Sequence, residues 1–191
     1  MTKKITTIFF DTEFTGLHQR TTLISIGLIA DLGLGKGTKS FYAELTDYDQ
    51  SQVDEWIQEN VICNLKNTAM PNNTYQLSNS GDINCRCDME HLKMWLTAFL
   101  SFDSIEMWSD TLAYDWVLFC EIWGGAQNIP KNIYYIPFDI VNLFKERKLN
   151  PDINRELFLG ASLDKMTKLK HNSLWDAYVI MKCHNLLNNS L

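Results

Sequence analysis

A run of β-branched and aromatic residues, ITTIFF at 5–10, ends directly on Asp11 and Glu13. Such a run reads as a buried strand, and on a strand the side chains at i and i+2 share a face. Asp11 and Glu13 therefore point the same way if the strand persists that far. Two carboxylates at the end of a buried strand repel each other unless a cation lies between them. The alternative is a strand end that turns polar at the surface, with Thr15-Gly16 as the following turn. For the pair alone, the polar strand end is the favoured reading.

The rest of the chain places this strand in a sheet. TLISIGLIA at 22–30 reads as a second strand, the Gly-rich LGLGKG as a turn, and TKSFYAEL as a third strand. Short connections among the three predict an antiparallel meander. VDEWIQENV has helical spacing, with Val53, Trp56, Ile57 and Val61 on one face. Residues 63–86 are polar and Asn-rich and read as a long surface loop. DMEHLKMWLTAFL reads as an amphipathic helix, IEMWS as a short strand, and LAYDWVLFCEIWG as a helix ended by Gly124. IYYIPF at 133–138 reads as another strand, DIVNLFKERK as a helix with Asp139 near its start, and SLWDAYVIMKCHNLL as the last helix. The segment 150–169 has no clear pattern. The tryptophans Trp56, Trp95, Trp108, Trp116 and Trp123 are expected in the core, with Trp175, beside Asp176, as the exception. This order predicts an α/β fold: one mixed sheet with helices on its faces, in a single domain over 1–191.

Composition limits the function. The chain has 191 residues, the size of one ordinary domain, and a net charge of −6. An acidic chain is a poor candidate for a broad, basic nucleic-acid face, but the charge leaves room for a local site where metal ions supply the positive charge. No apolar run is long enough to span a membrane, and MTKKITTIFF reads as a first strand rather than a signal peptide. Five cysteines at irregular spacing then suggest reduced thiols and a cytoplasmic protein. Cys85-x-Cys87 with His91 and Cys63 matches no strong zinc pattern.

Three further positions bear on chemistry. Asp115 lies among Tyr114, Trp116, Val117, Leu118 and Phe119 in a helix, either as a functional carboxylate or as a solvent-facing residue between core contacts. Asp110 has a simpler reading as the N-cap of that helix. His171 and Asp176 are five residues apart. Two helical residues at that spacing diverge, so they converge only if His171 lies in the loop and Asp176 in the first helical turn. Alternatively, Ser173 to Asp176 forms a capping box.

Taken together, these motifs resemble the DEDDh branch of the DEDD superfamily of 3′-to-5′ exonucleases over nearly the whole chain. FDTEFTGL resembles the first exonuclease motif, LISIGLI the usual second strand, AYDWVLF the second motif, and HNSLWDA the third, His-x4-Asp. Asn172 occupies the position where the tyrosine branch has Tyr, and Thr111 stands where many members have Asn. A closer similarity is to small stand-alone bacterial exoribonucleases of the polyadenylate-specific exoribonuclease AS-like type. The resemblance implies a ribonuclease H-like fold, with a five-stranded mixed sheet whose first three strands are antiparallel and helices on both faces. It implies Mg²⁺ or Mn²⁺, two ions, with Asp11, Glu13 and Asp176 holding one and Asp11 and Asp115 serving the other. It implies His171 as general base, in a loop from which it could swing in when substrate binds. The substrate would be the 3′ end of single-stranded RNA, released as nucleoside 5′-monophosphates. Phe14, Thr15 and Leu17 would contact the terminal nucleotides, with local packing as the alternative for Phe14 and Leu17; Lys165, Lys168 and Lys170 could touch phosphates, although such a cluster is usually a solvated face. A DNA exonuclease of proofreading or repair type, and a catalytically silent nucleic-acid-binding member, are the alternatives. Dimers are frequent in this branch, and the apolar loop flanks leave room for one.

Overall fold

The computed structural model describes residues 4–33, 35–160 and 170–189. Seven strands form one sheet: β1 (Ile5–Phe14), β2 (Leu23–Asp31), β3 (Thr38–Leu45), β4 (Thr74–Leu77), β5 (Ile83–Cys87), β6 (Ser104–Ser109) and β7 (Phe138–Asp139). Their order is β4-β5-β3-β2-β1-β6-β7. The first three strands form the expected antiparallel meander. β6 then pairs parallel with β1, on the side away from β2. The chain thus builds outward on one side of β1 and afterwards crosses to the other. In open α/β sheets such a reversal leaves a crevice at the carboxyl ends of the strands.

The sheet has seven strands rather than five. The stretch 63–86, expected as a loop, contains β4 and most of β5. In β5, Cys85 and Cys87 are buried while Asn84 and Arg86 alternate with them, so the strand pattern is present but short. β4 is an edge strand with no buried residue. IYYIPF is likewise not a strand over its length. Ile133 makes a single bridge to Ile105, Tyr134 to Ile136 are exposed, and regular pairing begins only after Pro137, which has no N–H to donate.

Alternation along β1 divides the core. Ile8 and Phe10 belong to a cluster that includes Leu92, Leu96 and Phe99 of α2 (Met89–Phe99) and Leu118 and Phe119 of α3 (Ala113–Glu121). Phe9, with the opposite parity, belongs to a second cluster with Ile140 and Phe144 of α4 (Ile140–Glu146) and Ala177, Ile180 and Cys183 of the last helix (Ser173–Asn189). Among the described residues there are two further short helices, α1 (Glu55–Asn60) and α5 (Arg155–Phe158), and the last helix is labelled α6. Side-chain oxygens of Asp54, Asp88 and Asp139 cap α1, α2 and α4. Among the described residues, no helix is long and apolar enough to cross a membrane.

Candidate active site

Asp11 and Glu13 share the parity of Phe9, so they face α6, the helix that carries Asp176. Oxygens of Asp11, Glu13 and Asp176 all lie within 4.8 Å of one another. Asp176 is in the first turn of α6, and His171 precedes the helix with a left-handed backbone, φ 60°. Both conditions for their convergence are therefore met. The capping box does not form in the expected way. Asn172 Oδ1 accepts from Trp175 N at 3.2 Å, while Ser173 Oγ shares a hydrogen bond with Ser25 Oγ. The Asp176 carboxylate instead accepts from the His171 backbone N–H.

Asp115 approaches from the other side of β1. Pairing between β1 and β6 ends at Phe9 and Trp108, which leaves the next part of β1 free on that edge. Asp115 Oδ1 accepts there from the Thr12 backbone N–H at 3.0 Å and from the Thr12 hydroxyl, and Oδ2 accepts from Ser109 Oγ at 3.2 Å. Asp115 is therefore buried rather than solvent-facing. It lies outside the group of three but close enough for its charge to act on Asp11 and Glu13.

The electrostatics of the four carboxylates are unfavourable in the absence of a cation. Burial, followed by the charges of Asp115, Asp176, Glu13 and Asp110, holds the Asp11 carboxyl well above its usual range. Burial and Asp176 do the same to Glu13. Burial and Glu156 push Asp176 up to about 7, despite the His171 N–H that counteracts them. Burial pushes Asp115 up to about 6, opposed by the Thr12 and Ser109 bonds. Packed oxygens that resist ionisation suit a hard divalent cation, which would compensate the charge directly. Among the described residues, these three form the group able to hold a metal; Cys63, Cys85, Cys87 and His91 form none. Cys85 and Cys87 are core residues, and His91 is paired with Asp88.

All five predicted positions (Asp11, Glu13, Asp115, His171 and Asp176) border one cleft of about 770 Å³. Its lining also includes the apolar Phe14, Leu17, Trp56 and Tyr114. Phe14 stacks on Tyr114 at 5.4 Å between ring centres, and Leu17 is 78% exposed. Trp56, expected in the core, is 54% exposed and meets the His171 ring edge-on at 5.1 Å. Only Ile57 and Val61 of that stretch are buried, so the helical pattern identified the inner face and put Trp56 on the wrong side of it. Burial and neighbouring Lys170 hold the His171 imidazole below its ordinary value, against a smaller opposing effect of Glu156.

Thr15 is placed differently from the expectation. It is 2% exposed, its hydroxyl donates to Gln52 Oε1 and accepts from Thr22 N at 2.8 Å, and it closes the loop that presents Phe14 and Leu17. Asp110 is not a helix cap. α3 has no side-chain cap at its start, and Asp139 instead accepts from Thr111 N and Leu112 N at 3.3 and 3.2 Å. The Asp110 carboxylate is bound by Arg155, 45 residues away. Lys170 borders an adjoining hollow; Lys165 and Lys168 lie outside the described residues.

Residues 6–187 match the model of the family described as the 3′-5′ exoribonuclease Rv2179c-like domain. The 3′-5′ exoribonuclease Rv2179c of Mycobacterium tuberculosis (strain ATCC 25618 / H37Rv) is 29% identical over 142 residues, covering 73% of this chain and 74% of that protein. The 3′-5′ exoribonuclease MT2234.1 of strain CDC 1551 / Oshkosh shows the same identity and coverage. Among solved structures, the RNase domain of the yeast Pop2 protein aligns with a TM-score of 0.57 at 15% identity, covering 97% of this chain and 77% of that one, which is a likeness of fold.

Proposed function

The chain belongs to the 3′-5′ exoribonuclease Rv2179c-like domain family, and from that premise we propose that it is a DEDDh-type, ribonuclease H-like exoribonuclease acting as one domain on single-stranded RNA. It removes nucleoside 5′-monophosphates from the 3′ end in a reaction that depends on divalent cations. The observation that carries this reading is the convergence of Asp11, Glu13 and Asp176 oxygens within 4.8 Å, in one cleft with Asp115 and His171.

Asp11, Glu13 and Asp176 would hold one Mg²⁺ or Mn²⁺ ion, with Asp11 and Asp115 serving a second. When bound, such cations would supply positive charge for the scissile phosphate and for the attacking water. The protein supplies the rest. His171, kept neutral by burial and Lys170, takes a proton from the water that attacks phosphorus. The bond to the 3′ oxygen of the penultimate nucleotide breaks, and the terminal nucleotide leaves with a 5′-phosphate. Phe14, Leu17 and Trp56 offer an apolar surface for the terminal bases. Stacking of this kind needs unpaired bases, which favours a single strand. The net charge of −6 agrees, because it offers no wide basic face for a duplex.

Digestion of 5′-labelled single-stranded RNA and DNA of equal sequence tests the proposal. A ladder shortening from the 3′ end, faster on RNA and stopped by EDTA, is the expected result. Shortening of DNA alone would favour the proofreading or repair type. Tight RNA binding without shortening in any metal would mark a silent binding member.

A further inference from the structure

Two carboxylates at the cleft have no part in the proposed chemistry, Asp54, which caps α1, and Asp110. Asp110 follows β6, lines the cleft with Asp11 and Asp176, and its charge acts on Asp11, Asp115 and Asp176. It is nevertheless absent from the group of oxygens that could hold a cation. Arg155 accounts for this. Its Nε and Nη2 donate to the two Asp110 oxygens at 2.6 and 2.9 Å, the bidentate geometry that a guanidinium fits and an ammonium does not.

Arg155 is itself tightly held. Nη1 donates to Ile153 O at 2.8 Å and Nη2 to Pro151 O at 2.9 Å, and the guanidinium carbon sits 4.3 Å from the centre of the Phe144 ring. Most of its donors are committed, which leaves little to offer a phosphate. The pair is also well shielded, with side-chain exposures of 13% and 20%, so its charges are less screened than a surface pair. The turn on the other side of Asp110 is fixed as well, through Asp139.

We propose that Arg155 is a positioning residue that holds Asp110 out of the cation site and opposes its charge there, leaving cation ligation to Asp11, Glu13, Asp115 and Asp176. This rests on the cation-dependent reading above. It predicts opposite effects from the two partners. Loss of Arg155 exposes the site to one extra negative charge, and loss of the Asp110 charge exposes it to one extra positive charge. A clamp with a purely structural role would shift both variants the same way.

The test is calorimetric titration of Mn²⁺ into the RNA-free protein, with melting temperatures recorded in parallel. Arg155→Gln should tighten Mn²⁺ binding on the order of tenfold, and Asp110→Asn should weaken it by a similar factor. The double variant should return to within about twofold of wild type. If Arg155→Gln does not fold, Asp110→Asn alone still reads the sign, and Arg155→Lys, which keeps the charge but loses the two-point grip on Asp110, should tighten Mn²⁺ binding by less than tenfold. Weakening in both single variants, or no change in Asp110→Asn, would overturn the proposal. Absence of Mn²⁺ binding in the wild type would overturn the cation reading itself, and this proposal with it.

Discussion

Gly27 lies directly across from Asp11 in the β1–β2 pair, and a β-carbon placed on it would come within 2.3 Å of the Leu174 backbone nitrogen. The first turn of α6 thus rests on bare sheet beside Asp11, which is what brings Asp176 within reach of it. Tyr42, the next residue in the same row, accepts from Asn172 Nδ2 at 3.0 Å and donates to buried Glu44 at 2.8 Å, so the start of the helix is also tied laterally. Gly27→Ala must push the helix away. The expected result is a loss of roughly 1–3 kcal/mol of stability, with weaker Mn²⁺ binding, read by denaturant unfolding and calorimetry.

The metal-free site should oppose folding. A carboxyl whose folded value is raised binds protons more tightly in the native state, so stability is greatest at low pH and falls as pH rises through the folded value. For Asp115 and Asp176 those values are about 6 and about 7, against an ordinary 3.8. In EDTA, the melting temperature should decline between pH 5 and 8, and Mg²⁺ should restore most at the upper end. Asp11→Asn should raise the metal-free melting temperature at pH 8. A lower melting temperature in Asp11→Asn would show that the carboxylates are not strained.

His171 should set the acid limb of the rate profile. Its imidazole is held below its ordinary value of 6.5, so the neutral base persists into mildly acidic solution and activity falls only as pH drops through that lowered value. His171→Ala should reduce kcat by about 10²–10⁴-fold while Mn²⁺ affinity stays within a few-fold. An unchanged kcat would assign the proton transfer elsewhere.

Trp56 is exposed and faces the cleft, so its loss should affect substrate more than fold. Trp56→Ala is expected to raise KM for RNA by roughly ten- to a hundredfold, the scale of one lost base stack, with little change in melting temperature. A large drop in melting temperature at constant KM would return Trp56 to the core.

Thr111 has φ 58°, a left-handed backbone that a β-branched residue tolerates poorly. It persists because Asp139 fixes its N–H. Thr111→Asn, which suits that conformation better, should stabilise the protein by about 1 kcal/mol, measured by thermal unfolding.

Sequence was most informative where a rule is local. The run 5–10 and the meander after it could be read because long apolar runs with short turns allow few alternatives. The loop position of His171 followed from helix geometry once it was required to converge with Asp176. What escaped depended on distant partners. Asp110 looked like a cap because Arg155 lies 45 residues on. β5 was hidden by its length and by inward positions filled with cysteine, and β4, an exposed edge, carried no burial pattern. Trp56 and Ile57 are adjacent, and only the packed chain decides which of them turns inward. The Tyr42–Asn172 bond joins β3 to the last helix across 130 residues, and no spacing in the sequence signals it.

The central claim is that cation-dependent 3′-to-5′ hydrolysis takes place at the Asp11, Glu13 and Asp176 cluster. The most direct measurement follows 5′-labelled single-stranded RNA in Mg²⁺ with wild type and with folded Asp11→Asn. The account predicts a 3′-shortening ladder for wild type and none above background for Asp11→Asn. An Asp11→Asn protein that shortens RNA at near the wild-type rate would contradict it.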